Sequence, residues 1–120
     1  MTYKTGQDLI DEAKRQIEQV TPEQVREMQA RNESVVYLDV REPNEWNLGH
    51  IPRAIHLPRG NLEGKVEGIV DRHRKVVIYC ARGNRSALAA VTMKQMGYEN
   101  VSSMALGIQG WADMGGDIED

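Results

Sequence analysis

Residues 75–97 read KVVIYCARGNRSALAAVTMKQMG, and this stretch decides the fold. It begins with an apolar, β-branched run of the kind that forms a strand buried on both faces. From Ser86 onward it predicts a helix, in which Ala87 and Ala90 fall on one face and Gly97 provides the C-terminal stop. A buried strand that leads through a short loop into a helix is typical of proteins with a parallel sheet.

The chain on either side continues this alternation. Further strands are predicted at residues 34–40, 54–58 and 100–105. Parallel strands need crossover connections, which helices usually supply. We therefore predict a single α/β domain, whose central, mostly parallel sheet is flanked by helices on both faces. Besides the helix that begins at Ser86, helices are predicted at residues 22–30, 43–49 and 62–70.

The N-terminal region predicts an extra helix. Residues 7–19, QDLIDEAKRQIEQ, place apolar side chains at helical spacing from Leu9 to Ile17, with charged residues between them. This amphipathic helix precedes the α/β alternation. We therefore predict a helical extension over residues 1–20 and one domain over residues 21–120.

Composition narrows the classes of function. The formal net charge is -3, and nucleic-acid binding needs a basic face, so no nucleic-acid partner is expected. No stretch approaches the roughly 18 apolar residues of a membrane helix, and the N-terminus lacks the apolar run of a signal peptide. We therefore expect no membrane partner and a cytoplasmic location. The histidines show no metal-ligand spacing, so neither a metal nor another cofactor is expected.

The loop that follows the strand beginning at Lys75 contains the only cysteine, Cys80. A lone cysteine at the end of an apolar strand is commonly a small buried hydrophobe. Here, however, Gly83 permits a tight curl whose N–H groups converge, and the following helix adds the positive end of its dipole. Two nearby guanidinium groups also favour a reactive thiolate. The candidate site comprises the nucleophile Cys80 and the anion-binding residues Ala81, Arg82, Gly83, Asn84, Arg85 and Ser86.

The spacing between Cys80 and Arg85 bears on the chemistry. Protein tyrosine phosphatases use a cysteine, five residues and an arginine, whereas only four residues separate Cys80 from Arg85. A smaller ring of amides suits a single sulfur atom better than a tetrahedral phosphoryl group. A phosphatase or an arsenate reductase stays an alternative, although arsenate reduction would need a partner cysteine that this sequence lacks.

Three motifs, in order, resemble the rhodanese-like family of sulfurtransferases. Residues 37–58, YLDVREPNEWNLGHIPRAIHLP, are similar to the family's first signature. Residues 76–90 are similar to its active-site loop and helix, and residues 97–111, GYENVSSMALGIQGW, to its closing segment. The sequence departs from the family pattern at Arg53 and Leu106, where glycine is common. The resemblance is to a single-domain member of the thiosulfate sulfurtransferase type.

The resemblance implies covalent catalysis in two steps. Cys80 would take a sulfur atom from a small anionic donor such as thiosulfate and become a persulfide. A thiophilic acceptor, either cyanide or a thiol, would then remove that sulfur. The resemblance also implies that Asp39 and Arg41 support the active site. The alternative for these two residues is a structural ion pair, for instance between Arg41 and Glu45.

Two questions about partners stay open at this point. A non-catalytic rhodanese-like binding module is the other alternative, although such modules commonly lack the cysteine. The helix at residues 7–19 lies outside the matched motifs. It could mediate a weak homodimer, dock an acceptor protein, or pack on its own domain.

Overall fold

The computed structural model describes residues 2–120, and its strands form one sheet. In chain order they are β1 (Glu18–Val20), β2 (Val35–Asp39), β3 (Ala54–His56), β4 (Lys75–Tyr79) and β5 (Val101–Met104). The spatial order is β1-β5-β4-β2-β3, and every neighbouring pair runs parallel. The predicted parallel α/β sheet is therefore confirmed.

Helices cover both faces of this sheet, as predicted. They are α1 (Gly6–Gln16), α2 (Pro22–Ala30), α3 (Pro43–Asn47), α4 (Leu62–Ile69), α5 (Asn84–Gln95) and α6 (Gly107–Asp113), with a 3-10 turn at Arg59–Asn61. Apolar side chains of α1, α4 and α5 pack on one face, and those of α2 and α6 on the other. Among residues 2–120, no helix combines the length and the apolar character needed to span a bilayer.

Strand β4 lies at the centre of the sheet and divides its side chains between the two faces. Val76 and Ile78 join the core beneath α5, while Val77 and Tyr79 join the core beneath α2. Successive side chains of a strand point to opposite faces. Cys80 follows β4 and belongs to the core on the α5 side. Its thiol is thereby directed toward the helix that continues the loop.

The predicted helix over residues 7–19 is wrong at its C-terminal end. Helix α1 ends at Gln16, Ile17 is extended, and Glu18–Val20 form the edge strand β1 beside β5. The Ala105 N–H donates to the Val20 carbonyl at 2.8 Å. A strand this short shows no apolar alternation in the sequence, and its pairing is made with residues far along the chain.

The N-terminal helix packs on its own domain. Ala13 and Ile17 are 3% and 8% exposed and join the core that α5 and the sheet share. Leu9, by contrast, is 49% exposed. The division of the chain at residue 20 and a role of α1 in partner binding stay predictions.

Candidate active site

The loop between β4 and α5 turns directly into the helix. Helix α5 begins at Asn84, two residues before the predicted start at Ser86, and Gly83 occupies its N-cap position at φ +97°. This left-handed conformation suits glycine because it has no Cβ. Arg85 and Ser86 therefore lie in the first helical turn, where backbone N–H groups have no partner within the helix.

Backbone and side-chain donors surround the sulfur of Cys80. The Gly83 N–H donates to Sγ at 3.1 Å and the Ser86 N–H donates at 3.4 Å. The Ser86 hydroxyl lies 3.4 Å from the same sulfur. Cys80 is 1% exposed. Donors aimed at one buried atom, at the positive end of a 12-residue helix, favour a negatively charged sulfur there.

The N-terminus of α6 braces the loop from the opposite side. The Ile108 N–H donates to the Cys80 carbonyl at 2.9 Å, and the Gln109 N–H donates to the Ala81 carbonyl at 3.1 Å. Gly107, at φ +56°, lies so close that a Cβ there would overlap the Cys80 carbonyl oxygen. Gly107 was not among the predicted site residues. A glycine at the start of a helix in the closing segment was the available signal.

The two arginines of the loop differ in environment. Arg82 is exposed, and no hydrogen bond or ion pair to it is found within residues 2–120. Arg85 instead forms a bidentate ion pair with Glu45 of α3, with N–O distances of 2.7 and 3.0 Å. Hydrogen bonds from Arg85 lower the pKa of Glu45 to about 2, and the same bonds raise the pKa of Arg85. The positive charge of Arg85 is therefore compensated in this structure.

Asp39 and Arg41 form a buried ion pair at the end of β2. Asp39 is fully buried, and Arg41 Nη2 donates to its Oδ2 at 2.7 Å while Nε contacts both carboxylate oxygens at 3.1 Å. Burial alone would lower the pKa of Arg41, but the bonds to Asp39 raise it overall. The structural ion pair is thus made with Asp39. The suggested partner, the Glu45 carboxylate, is wrong because that side chain reaches Arg85.

The buried pair supports the loop indirectly. Arg41 also donates to the carbonyls of Glu45, at 3.2 Å, and of Gly49, at 2.7 Å. These bonds fix α3 against the end of β2. The Glu45 side chain then spans from α3 to Arg85. Asp39 and Arg41 make no recorded hydrogen bond to Cys80 within residues 2–120.

Comparison with known proteins adds the family to this geometry. A family model for the rhodanese-like domain matches residues 21–114. The chain belongs to the rhodanese-like family. Curated rhodanese-like relatives include a sulfurtransferase of Allochromatium vinosum, 34% identical over 82% of this chain and 92% of the relative. The thiosulfate:glutathione sulfurtransferase of Saccharomyces cerevisiae is 33% identical over 72% of this chain and 71% of its own length.

Some relatives are longer proteins. The putative sulfur carrier protein YrkF of Bacillus subtilis is 33% identical over 79% of this chain, which spans 51% of that protein. Among solved structures, one from Rhodopseudomonas palustris, described as a possible tyrosine phosphatase of unknown function, has a TM-score of 0.88 at 34% identity and covers 99% of this chain and 97% of its own. A rhodanese-related protein of Thermoplasma volcanium has a TM-score of 0.77 at 32% identity, over 85% and 97% of the two chains.

The two departures from the rhodanese-like pattern occur where the backbone favours glycine. Arg53 has φ +72° and Leu106 has φ +66°. A side chain in this left-handed region costs about 1–2 kcal/mol relative to glycine. Leu106 immediately precedes α6 and is 65% exposed. Both replacements therefore place some backbone strain in the chain, and nothing in the structure explains why it is retained.

Proposed function

We propose that this rhodanese-like chain is a sulfurtransferase. It would move a sulfane sulfur from a small anionic donor such as thiosulfate to a thiophilic acceptor, through a persulfide on Cys80. The observation that carries the proposal is the set of polar groups around the Cys80 sulfur, two backbone N–H donors and the Ser86 hydroxyl, at 3.1–3.4 Å. The names of the relatives from A. vinosum and yeast support it.

The proposed reaction balances without an oxidant. The Cys80 thiolate attacks the outer sulfur of thiosulfate, a new S–S bond forms, and sulfite leaves with the electron pair of the bond that breaks. The negative charge then resides on the outer sulfur of the persulfide, beside the helix N-terminus. Cyanide or a thiolate attacks that outer sulfur and restores the Cys80 thiolate. This is a ping-pong sequence with one covalent intermediate.

Donor binding is proposed to depend chiefly on Arg82. Its guanidinium is exposed and uncompensated among residues 2–120, whereas Arg85 is held by Glu45. Within the described residues 2–120, an anionic donor therefore meets the unpaired cation of the loop, Arg82, and the N-terminal end of α5. Arg85 would add a second contact only if it left Glu45.

A phosphatase is the second candidate, because the R. palustris neighbour is described as a possible tyrosine phosphatase. Two features favour sulfur transfer over that reading. Only four residues separate Cys80 from Arg85, which leaves a smaller ring of amides. The arginine that would bind a phosphoryl group is also paired with Glu45.

Steady-state assays distinguish the two reactions. We expect thiocyanate to form from thiosulfate and cyanide, and we expect Cys80→Ser to abolish it. Arg82→Ala should raise the KM for thiosulfate about fivefold, the effect of roughly 1 kcal/mol from one exposed charge. Arg74→Ala removes the same charge just before β4, at the end of the strand opposite to Cys80, and should leave the KM unchanged. Hydrolysis of an aryl phosphate that is lost in Cys80→Ser, without thiocyanate formation, would instead favour the phosphatase.

The acceptor and the cellular setting complete the proposal. The name of the yeast relative supports a thiol such as glutathione as acceptor. A cytoplasmic location stays a prediction from the sequence. Docking of a homodimer partner or an acceptor protein on α1 is also kept as a proposal. Leu9→Glu in the full chain tests it, because Leu9 is 49% exposed, and an unchanged sedimentation coefficient and unchanged transfer to thiols would remove it.

A further inference from the structure

A second serine lies behind the active-site loop, on strand β5. Ser103 is fully buried, and its hydroxyl oxygen lies 2.8 Å from that of Ser86. Ser86 Oγ lies in turn 3.4 Å from Cys80 Sγ. Ser103 pairs in register with Ile78 of β4, two residues before Cys80. The three side chains therefore form a continuous chain of polar atoms beneath the loop.

A serine hydroxyl that is buried against an apolar core needs a hydrogen-bond partner. An unpaired hydroxyl in an apolar environment loses its bonds to water without compensation. The register partner of Ser103, Ile78, is also fully buried, in the apolar core beneath α5. Within residues 2–120, the one hydrogen bond found for the Ser103 hydroxyl is the bond to Ser86. The hydroxyl of Ser103 therefore interacts with the active site and not with the apolar core around it.

The count of protons assigns a direction to this chain. A thiolate can only accept hydrogen bonds, so the Ser86 hydroxyl donates a hydrogen bond to sulfur, and the Ser103 hydroxyl donates one to Ser86. Every hydroxyl proton then has an acceptor. If the sulfur carries the proton and donates to Ser86, then Ser86 donates to Ser103. The proton of Ser103 then has no acceptor among the recorded hydrogen bonds of residues 2–120.

We propose that Ser103 is a positioning residue that acts through Ser86. It fixes the Ser86 hydroxyl as a donor to Cys80 and so favours the thiolate over the thiol. The proposed role of Ser103 adds a detail to the proposed sulfur transfer and rests on it, because a stabilised thiolate serves that reaction. The effect on the thiol itself, however, can be measured without any sulfur donor, so the two can fail separately.

Charged groups also act on this sulfur and have to be held constant. Arg82 and Arg85 are on the loop and the first turn of α5, and the charge of Arg85 is compensated by Glu45 of α3. The Asp39–Arg41 pair lies at the end of the neighbouring strand β2. A serine-to-alanine change alters none of these charges.

The test is the pH profile for alkylation of Cys80, the only cysteine, by iodoacetamide. Ser86→Ala should raise the midpoint by about one unit, the effect of losing a hydrogen bond to a charged group. Ser103→Ala should raise the midpoint by a few tenths of a unit, because the Ser103 hydroxyl only polarises the bond from Ser86 to sulfur and makes no bond to sulfur itself. The double variant should match Ser86→Ala alone, since Ser103 has no effect once Ser86 is gone.

The neighbouring Ser102 offers a matched control. It is 6% exposed, its side chain alternates to the opposite face of β5, and Ser102→Ala should leave the midpoint unchanged. Ser103→Thr keeps a hydroxyl and should restore the wild-type midpoint. A wild-type midpoint in a folded Ser103→Ala protein would overturn the proposal, as would additive shifts in the double variant. Should Ser103→Ala fail to fold, a raised midpoint in Ser103→Thr would overturn it.

Discussion

Replacing Gly107 by alanine tests whether α6 holds the active-site loop. A Cβ at Gly107 would overlap the Cys80 carbonyl oxygen and lie 2.5 Å from the carbonyl carbon and oxygen of Ala81. Gly115→Ala is the matched control, because Gly115 also has positive φ, +85°, but open space around its Cβ position. Both variants take an L-residue into the left-handed region, and only Gly107→Ala adds contact with backbone.

The expected magnitudes follow from these two environments. The left-handed conformation costs about 1–2 kcal/mol, and the lower entropy of the unfolded alanine chain offsets about 0.4–1 kcal/mol of it. Gly115→Ala should therefore destabilise by about 1 kcal/mol. Overlap with the backbone of Cys80 and Ala81 adds about 1–3 kcal/mol, as overpacking does.

Activity provides the second readout of the same pair of variants. Relief of the overlap requires the loop to move away from α6, and displacement of catalytic groups by about 1 Å can cost roughly 100-fold in rate. We expect urea denaturation to rank the variants as stated and thiocyanate formation to fall only in Gly107→Ala. Equal free energies of unfolding for the two variants, together with full activity of Gly107→Ala, would show that α6 does not hold the loop in place.

Four further predictions concern single side chains. Glu45→Gln leaves the charge of Arg85 uncompensated, so that it can attract thiosulfate. The KM for thiosulfate should fall about fivefold, which corresponds to roughly 1 kcal/mol of added attraction. A raised KM would mean that the ion pair holds Arg85 in a donor-binding position. The pKa of Glu45 is about 2, below its ordinary 4.5. The Glu45–Arg85 ion pair therefore stabilises the folded state fully above about pH 4.5. Its contribution to the free energy of unfolding, about 1 kcal/mol as measured by urea denaturation, should be lost as the pH falls towards 2. Arg53→Gly should be about 1 kcal/mol more stable than Arg53→Ala, because only alanine keeps the strain at φ +72°; equal stabilities would contradict this. Asp39→Asn should destabilise by about 3–5 kcal/mol, because it leaves Arg41 buried without its counter-charge, and a loss below about 1 kcal/mol would show that the pair is dispensable.

The central strands were predictable because burial dictates their composition. Residues 35–39 and 75–79 lie inside the sheet, where both faces need apolar side chains, and the sequence carries β-branched runs there. The edge strand β1 had no such signal, since only Val20 of its residues is buried. Its pairing with β5 is a long-range contact that local periodicity does not encode.

The start of α5 was displaced for a local reason. Alanine-rich sequence predicts a helix from Ser86, but Gly83 at φ +97° lets the chain enter the helix at Asn84. The predicted loop was thus too long by two residues. The convergence of N–H groups on Cys80 was nevertheless predictable, because a glycine between the cysteine and a helix allows the loop to turn its N–H groups inward in either case.

Partners of the charged residues were the least predictable part of the site. Glu45 and Arg85 are forty positions apart, and only the fold brings α3 beside α5. The same holds for Ser103, which occurs in a strand whose other residues are also buried. A serine in a buried strand was a signal that a polar partner exists, but not that the partner is Ser86.

The most direct test of the account is the mass of the intact protein after incubation with thiosulfate in the absence of reducing agents. Sulfur transfer through Cys80 predicts a gain of one sulfur atom in the wild-type chain and none in Cys80→Ser. Cyanide should then return the protein to its original mass and release an equal amount of thiocyanate. An unmodified wild-type chain, or a sulfur adduct that persists in Cys80→Ser, would contradict the account.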